Sequence, residues 1–501
     1  MESFNEGSLS AYFPGLVDVC VNEDGELVYL IVENGELVIT KEYNTETESF
    51  SIPERKHFPF ELPRVTEVLR HFHQEDYGLY DDVIKYLKRF SALDDEQWAI
   101  VAHYVFLTYL HDHPAIDYCP YLLFNAVPER GKSRTGKSII YISFRGIHLV
   151  ELREANIFRY SQHLHGTLFF DLMDISKKAQ RNNCDDILLL RFEKGAKCAR
   201  VLHPELGAFN DTEYYLINGP TIISSNKQLD DILETRCLPI TMPNRPGNYE
   251  NPRPELGLEL KERLTAWRAK YLCVELCSLN PIAGISGRLL DITKPLFLIS
   301  SLLPVDYRIL EKAILAIAGD KDESRKGTVE GRLVAIIRDI TNEEGFEDDD
   351  EWSIRIKDIL SKYNQDRPED KQVTSQWIGR RLKSMSFRKR IVKGYSEILI
   401  NRNEYQTILR QYGYLERDIS NPSETLPEKD EQIQDVLKEV ESGRESAQTN
   451  AEFDFTSPSE RECYEELLDE MKNADRMSEE EKRNHAYNKI QELREHDEVP
   501  F

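Results

Sequence analysis

An apolar run that ends in a loop of glycines and lysines sets the frame for this chain: "YLLFNAVPERGKSRTGKS", residues 121 to 138. A continuous apolar run suits a strand buried on both faces of a parallel sheet. Where such a strand enters a glycine-bearing loop and then a helix, backbone N–H groups converge on one concavity and can bind an anion. The loop holds two Gly-Lys-Ser triplets, Gly131-Lys132-Ser133 and Gly136-Lys137-Ser138. Gly131, Gly136, Lys137 and Ser138 fit the spacing G-x-x-x-x-G-K-[ST]. That register predicts that Lys137 faces the β/γ-phosphates of ATP and that the Ser138 hydroxyl reaches Mg²⁺, with Lys132 incidental within the loop. The segment that follows, "SIIYISF", is β-branched where a helix should begin.

Two more apolar runs follow, "GTLFFDLMD" at 166 to 174 and "GPTIISSN" at 219 to 226. Three buried strands each ending in a polar residue predict an α/β nucleotide-binding sheet with its ligand at the carboxyl ends of the strands. Asp171 then stands where it could share Mg²⁺ with Ser138, and Asn226 where an amide could orient water. Between the runs, "EKGAKCARV" predicts a hairpin carrying Lys194, Lys197 and Arg200.

Around this centre the pattern changes several times. Residues 14 to 52 alternate, with Glu-Asp-Gly and Glu-Asn-Gly as turns, and predict a β-rich N-terminal domain over 1–58. Helical periodicity covers 59–118, and the nucleotide-binding core with a helical lid is expected over 119–318. A linker over 319–351 leads to a unit of helices and a hairpin over 352–415. The tail, 416–501, holds 26 Asp and Glu against 11 Lys and Arg, most of the chain's net −25, and is expected to be mostly disordered. Such a tail could solubilise, dock a partner or compete with DNA. No basic start precedes an apolar stretch, the longest apolar run is too short to span a bilayer, and cysteines form no CxxC pair. A cytoplasmic protein without a membrane partner is the expectation.

Against that acidic balance, Lys371 to Arg402 carries nine Lys and Arg and one acid. In "VTSQWIGRRLKSMSFRKRIVKGYSEILI", Thr374 or Ser375 can cap a helix whose apolar face is Trp377, Ile378, Leu382 and Met385. Gln376, Arg380, Arg381 and Lys383 point outward, and Arg388, Lys389 and Arg390 open a hairpin about Lys393-Gly394. A helix for the major groove and a basic hairpin for phosphates is the pattern of a winged-helix DNA-binding domain. A protein-docking unit of the same shape is the alternative.

Taken in order, "YLLFNAVPERGKSRTGKS", "GTLFFDLMD", "RFEKGAKCARV", "GPTIISSN" and "LETRCLPITMPNRP" resemble the AAA+-type ATPase domain of mobile-element helicases, the helicase halves of primase–helicases from phages and plasmids. The resemblance covers about residues 60 to 310, and the winged-helix unit extends it to about 415. It implies Gly136, Lys137 and Ser138 as Walker A residues, Asp171 as the Walker B metal ligand and Asn226 as sensor 1. It also implies Arg236, or Arg245, as an arginine finger and Arg288 as a lid arginine. One departure stands out. Such domains follow the Walker B aspartate with a glutamate that activates water, and here that position is Leu172. Losing such a base typically costs ~10²–10⁴ in rate. Asp174 could substitute, and otherwise the chain is a slow ATPase or an ATP-controlled switch.

The expected protein is an ATP- and Mg²⁺-dependent, helicase-like AAA+ ATPase of a mobile genetic element, acting on single- or double-stranded DNA in replication. It is expected as a homo-oligomeric ring, a hexamer, with any priming left to a primase partner. An ATP-gated DNA-binding initiator or loader with weak hydrolysis is the alternative, and a P-loop kinase would leave the basic unit unexplained.

Overall fold

The computed structural model describes residues 8–415, apart from 46–47, 127–128, 203, 208–209, 246, 277–283, 347–348, 366 and 393. The acidic stretch 416–501, and with it the expectation of disorder, lies outside the described residues.

The chain opens with β1 (Ser8–Leu9), β2 (Leu16–Val21), β3 (Leu27–Glu33), β4 (Glu36–Thr40), β5 (Glu42–Asn44) and β6 (Ser49–Ser51). β2, β3 and β4 form the antiparallel meander that the alternation predicts. Its second turn places Asn34 at φ 53° and Gly35 at φ 83°, the pair of left-handed residues that a two-residue hairpin requires. Helices α1 (Val65–Phe72), α2 (Leu79–Lys88) and α3 (Asp95–Leu110) follow. α3 starts with a capping box from Asp94 and Gln97 and is buried from Trp98 to Leu110. A helix apolar on all sides belongs inside a large core.

The central sheet is built next. β7 (Tyr121–Asn125) leads to α4 (Lys132–Ile142), then β8 (Ile147–Leu149), α5 (Glu154–Leu164) and β9 (Leu168–Asp171). Short helices α6 (Ile175–Arg181) and α7 (Asp185–Leu190) precede the ribbon β10 (Lys197–Val201) and β11 (Thr212–Leu216). β12 (Thr221–Ser225), α8 (Asp231–Glu234) and β13 (Cys237–Thr241) complete it. The five-stranded sheet has the order β13-β7-β12-β9-β8 and every pairing is parallel. All three apolar runs are therefore adjacent buried strands, a mixed α/β architecture compatible with a P-loop core.

α9 (Leu258–Tyr271), α10 (Arg288–Ser301) and α11 (Tyr307–Lys326) pack against the buried helix α3. One hydrophobic core draws on residues from Ala11 to Ala318, while the other face of the meander forms a smaller cluster with α1 and α9. The N-terminal strands, helical region and nucleotide-binding core that the sequence divides at 58 and 118 thus share one interior. Two buried ion pairs tie the meander into it. Arg145 meets Asp18 at 2.8 Å, and Arg268 meets Asp112 at 2.6 Å while donating to the carbonyls of Leu16 and Val17.

The stretch expected as a linker over 319–351 is helical instead. α11 continues through Lys326, and α12 (Val329–Glu344) is capped by Thr328. Leu333, Val334 and Ile337 of α12 enter a second core with β14 (Glu351–Arg355), α13 (Ile356–Asn364), α14 (Ser375–Ser384), β15 (Arg388–Val392), β16 (Tyr395–Asn401) and α15 (Arg402–Gln411). Its three strands are antiparallel in the order β14-β16-β15. Composition misplaces this boundary because a charged amphipathic helix and a charged linker read alike. Among the described residues, no helix is long and apolar enough to cross a membrane.

Candidate nucleotide site and nucleic-acid surfaces

The register of the sheet decides what can meet at its carboxyl edge. Ser224 lies beside Asp171 and Ser225 beside Asn125, so the ends of β7, β9 and β12 are level. The backbone N–H of Asn226 donates to the Met173 carbonyl at 3.1 Å and draws the last two loops together. Asp171 and Asn226 thus stand at one edge with the glycine-lysine loop.

Within that loop the helix starts earlier than the expected register would have it. α4 begins at Lys132, five residues earlier than the Gly136-Lys137-Ser138 reading requires. Gly131 is its N-cap, at φ 81°, and Glu129 is also left-handed at φ 67°. Among the described residues no side chain caps the helix, and the first N–H groups of a helix point out of its N-terminus, here towards the concavity. Lys132 is buried, and its Nζ closes the loop by donating to the Ala126 carbonyl at 2.7 Å. Ser133 Oγ donates to Asp171 Oδ1 at 2.9 Å. Thr135 Oγ1 donates to Ser91 Oγ at 2.7 Å, and Arg134 Nε to the Phe90 carbonyl at 2.8 Å, so the first turn is fixed to the end of α2.

The second triplet lies in the body of the helix. A Cβ on Gly136 would sit 2.2 Å from the Phe169 ring, so this glycine lets α4 lie against β9 rather than shaping a loop. Lys137 is about 7.5 Å further along the axis than Lys132, given the helical rise. Ser138 is fully buried and its hydroxyl is engaged, donating to the Thr135 carbonyl at 2.8 Å. The β-branched run after it is helical because Ile139, Ile140 and Ile142 are buried, and burial outweighs a small propensity cost.

Sequence spacing alone passes over Lys132 and Ser133 although both belong to the glycine-lysine loop. Counted from Lys132, the first position of the spacing falls on Ala126, immediately after the strand; the strand end is the signal that could have found them. His148 carries no such signal. Its ring stacks on Phe169 at 5.1 Å, and its Nε2, buried and without a hydrogen-bond partner among the described residues, lies 4.0 Å from Asp171 Oδ2. Burial first, then the charge of Lys137, holds this imidazole below its ordinary range against the pull of Asp171. Burial likewise lowers the Lys132 ammonium, which Asp171 partly restores.

The residue after Asp171 supplies no base, and the one candidate surrogate is engaged. Leu172 is buried in the core. Asp174 is the N-cap of α6, its carboxylate accepting from the Lys177 N–H at 3.0 Å.

The arginines are similarly engaged. Arg236, at the amino end of β13, donates to the carbonyls of Leu189 and Ile232 and lies 5.1 Å over the Phe192 ring. Arg288 covers that ring at 5.0 Å and faces Asp291 at 3.7 Å. Arg245 pairs with Asp94.

On the β10–β11 ribbon, the three residues expected to meet DNA separate. Lys194 precedes the ribbon and its ammonium donates to the His113 carbonyl at 2.6 Å. Arg200 faces the body of the protein, pairing with Glu154 and lying 4.9 Å over Phe158. Lys197 alone of the three projects outward, on the face that carries Val201 (58% exposed) and Tyr214 (66% exposed).

In the C-terminal unit, Arg380, Arg381, Lys383, Arg388, Lys389 and Arg390 are all exposed. Thr374 caps α14, accepting from Trp377 N at 3.3 Å, and Ile378 and Leu382 are buried as the pattern requires. Arg381 also pairs with Glu330, Arg388 with Glu404 and Arg390 with Glu397. The Lys389 side chain crosses Gly379, so helix and hairpin present one basic face.

No protein-family model matches the chain, and no curated protein matches it. Among solved structures it is similar to one described as "SCCmec type IV Cch - active helicase", with a TM-score of 0.31 and 12% identity over 76% of this chain and 78% of that one. A likeness at this level supports no inference about fold or activity.

Proposed function

We propose that this chain is a P-loop ATPase of the AAA+ type that acts on DNA. The observation that carries the proposal is the contact of Ser133 with Asp171 at the carboxyl edge of an all-parallel sheet, beside Lys132 in the first turn of an uncapped helix. A strand, a loop with left-handed residues, a helix N-terminus, a lysine and a hydroxyl next to a carboxylate are what binding a triphosphate with its metal requires. The phosphate-binding residues in this reading are Gly131, Lys132 and Ser133, in place of Gly136, Lys137 and Ser138.

Mg²⁺ fits the donor set, because Ser133 Oγ and Asp171 Oδ1 are hard oxygens already 2.9 Å apart. When bound it would neutralise charge between the β- and γ-phosphates. Lys132 exchanges the Ala126 carbonyl for a phosphate oxygen, the N–H groups of the first turn hold the others, and Asn226 stands level with them to orient water.

In the unit behind the core, α12, β14, α13, α14 and the β15–β16 hairpin follow one another in the order a winged helix would have, with α15 after them. Its exposed basic face suits phosphates, and the outward face of the β10–β11 ribbon suits a single strand. Val150, directly after β8, and Met173, two residues after β9, are 68% and 74% exposed and suit a face covered by the next copy in a ring. Action in the replication of a mobile element, with a primase as partner, rests on the resemblance of the motif order.

A second reading is favoured by Leu172 and Asp174: one is core and the other is a helix cap, so the chain would be an ATP-gated DNA-binding switch with slow turnover. Measuring ATP binding and turnover with and without single- and double-stranded DNA, in wild type and Lys132→Ala, tests both. DNA-stimulated turnover lost in the variant supports the motor. Tight ATP binding with little turnover supports the switch. ATP binding that survives Lys132→Ala overturns the site.

A further inference from the structure

Away from the loop, a cavity of about 450 Å³ opens between the segment 55–61, the last turn of α4, the edge strand β8 and α9. That volume lies within the range of pockets for small organic ligands. Its wall holds one expensive group. Lys261 is 4% exposed, and its ammonium donates to the Glu61 carbonyl at 2.7 Å and lies 5.4 Å from the Phe60 ring. Unlike Arg145 and Arg268, it has no carboxylate at ion-pair distance among the described residues. Burial pushes it down to about 8. Asp18 and Glu61 act on it only from beyond ion-pair distance, so the buried ammonium remains costly, and an anion in the adjoining cavity would offset that cost.

The remaining lining fits a particular kind of anion. Arg55 brings a second cation to the rim, held by the Phe58 carbonyl at 2.7 Å and, at 3.4 Å, by Glu61. Phe58 and Phe60 are buried aromatic surfaces, and Tyr141 and Tyr160 are half-buried rings whose hydroxyls can donate or accept. Two cations suit the charge and geometry of a phosphate, and a group of aromatic rings suits a flat heterocycle.

We propose that this cavity binds a mononucleotide-sized organic phosphate, its phosphate on Lys261 and Arg55 and its ring against Phe58, Phe60, Tyr141 and Tyr160. The ligand site is separate from the glycine-lysine loop: it meets α4 at Ile140 and Tyr141, the opposite end from Lys132. His148 lines the same cavity and lies 4.0 Å from Asp171, which makes the occupant an effector of the loop site rather than its substrate. That last consequence rests on the ATPase reading, whereas binding in the cavity does not.

The test is calorimetric titration of the full chain with AMP, adenosine and inorganic phosphate, using wild type, Lys132→Ala and Lys261→Met. AMP should bind wild type and Lys132→Ala alike, and Lys261→Met should weaken it at least about tenfold, the loss of one charge-assisted bond. Adenosine and phosphate alone should each bind at least about tenfold more weakly than AMP, since each forgoes one half of the site. If Lys261→Met does not fold, the exposed Arg55→Ala should show the same direction. AMP binding that disappears in Lys132→Ala, that persists undiminished in Lys261→Met or Arg55→Ala, or that is absent from wild type at millimolar AMP, overturns the proposal. ATP binding that survives Lys132→Ala would count against the loop reading and leave the cavity result standing by itself.

Discussion

At the scale of single residues, two identical triplets have opposite surroundings, and variants should separate them. Lys132→Ala should abolish ATP binding, because it removes the only lysine in the first turn of α4. Lys137→Ala should leave affinity within a few-fold. Equal losses in a nucleotide-binding assay would return the site to an unresolved register, and the reverse order would restore Lys137. Gly136→Ala should instead lower stability, since its methyl would overlap the Phe169 ring, and overpacking typically costs about 1–3 kcal/mol. Asp174 offers a sharper test of catalysis. A cap accepts asparagine almost as well as aspartate, so Asp174→Asn should leave both stability and turnover within about twofold. A tenfold or larger fall in kcat at saturating ATP, with affinity unchanged, would give Asp174 the surrogate-base role that the sequence allows and its bond to Lys177 N argues against.

At the scale of elements, the β10–β11 ribbon has a bound face and a free one. Tyr214→Ala and Lys197→Ala should each weaken single-stranded DNA binding, Tyr214→Ala by the ~1–3 kcal/mol of a stacked base, while Arg200→Ala should act mainly on stability. If Arg200→Ala proves the most damaging to DNA affinity in a folded protein, the ribbon presents its other face. For the β15–β16 hairpin, replacing Arg388, Lys389 and Arg390 with alanine should weaken all DNA sequences equally. It should also flatten log K against log salt by about one unit for each phosphate that the variant no longer neutralises. An unchanged slope would make this unit a protein-docking surface. These elements show how far the sequence reaches. Asn34-Gly35 as a hairpin turn, Asp171 and Asn226 at strand ends, and the buried Ile378 and Leu382 of α14 follow from local chemistry, and all are legible. The start of α4 is not, because it depends on Phe169, over thirty residues away, needing a glycine at 136. Nor is the inward turn of Arg200, which depends on Glu154 and Phe158 of α5. Spacing specifies which residue types are present; partners from other elements specify which way they face.

At the scale of the whole molecule, the junction between the meander and the sheet is held by buried charge, and it should be sensitive to acid. Arg145–Asp18 and Arg268–Asp112 surround His111 and His165, with the ring of Tyr12 stacked on His165 at 3.3 Å. Burial pushes His111 down to about 4 and His165 down to about 3. Asp112 is held well below the ordinary carboxylate range, where the charge of Arg268 overcomes a burial that would raise it. An imidazole neutral when folded, with a free pKa near 6.5, takes up its proton only on unfolding between those two values. Over that window the unfolded chain binds more protons, so stability falls as pH drops from about 6.5 towards 4, by up to ~1.4 kcal/mol per pH unit for each histidine. Asp112 adds its own loss in the same direction only below the ordinary carboxylate pKa of about 4, so this window belongs to the histidines. Urea midpoints at pH 7.0 and 5.5 should therefore differ in wild type, and the difference should shrink in the His111→Asn/His165→Asn double variant. Because Arg268 bonds the Leu16 and Val17 carbonyls, opening should begin at the meander, and hydrogen exchange at pH 5.5 should quicken in β2 and β3 before it does in β7 or β12. A midpoint independent of pH, or exchange that quickens in the central strands first, would mean that the buried charges do not anchor the N-terminal strands to the sheet.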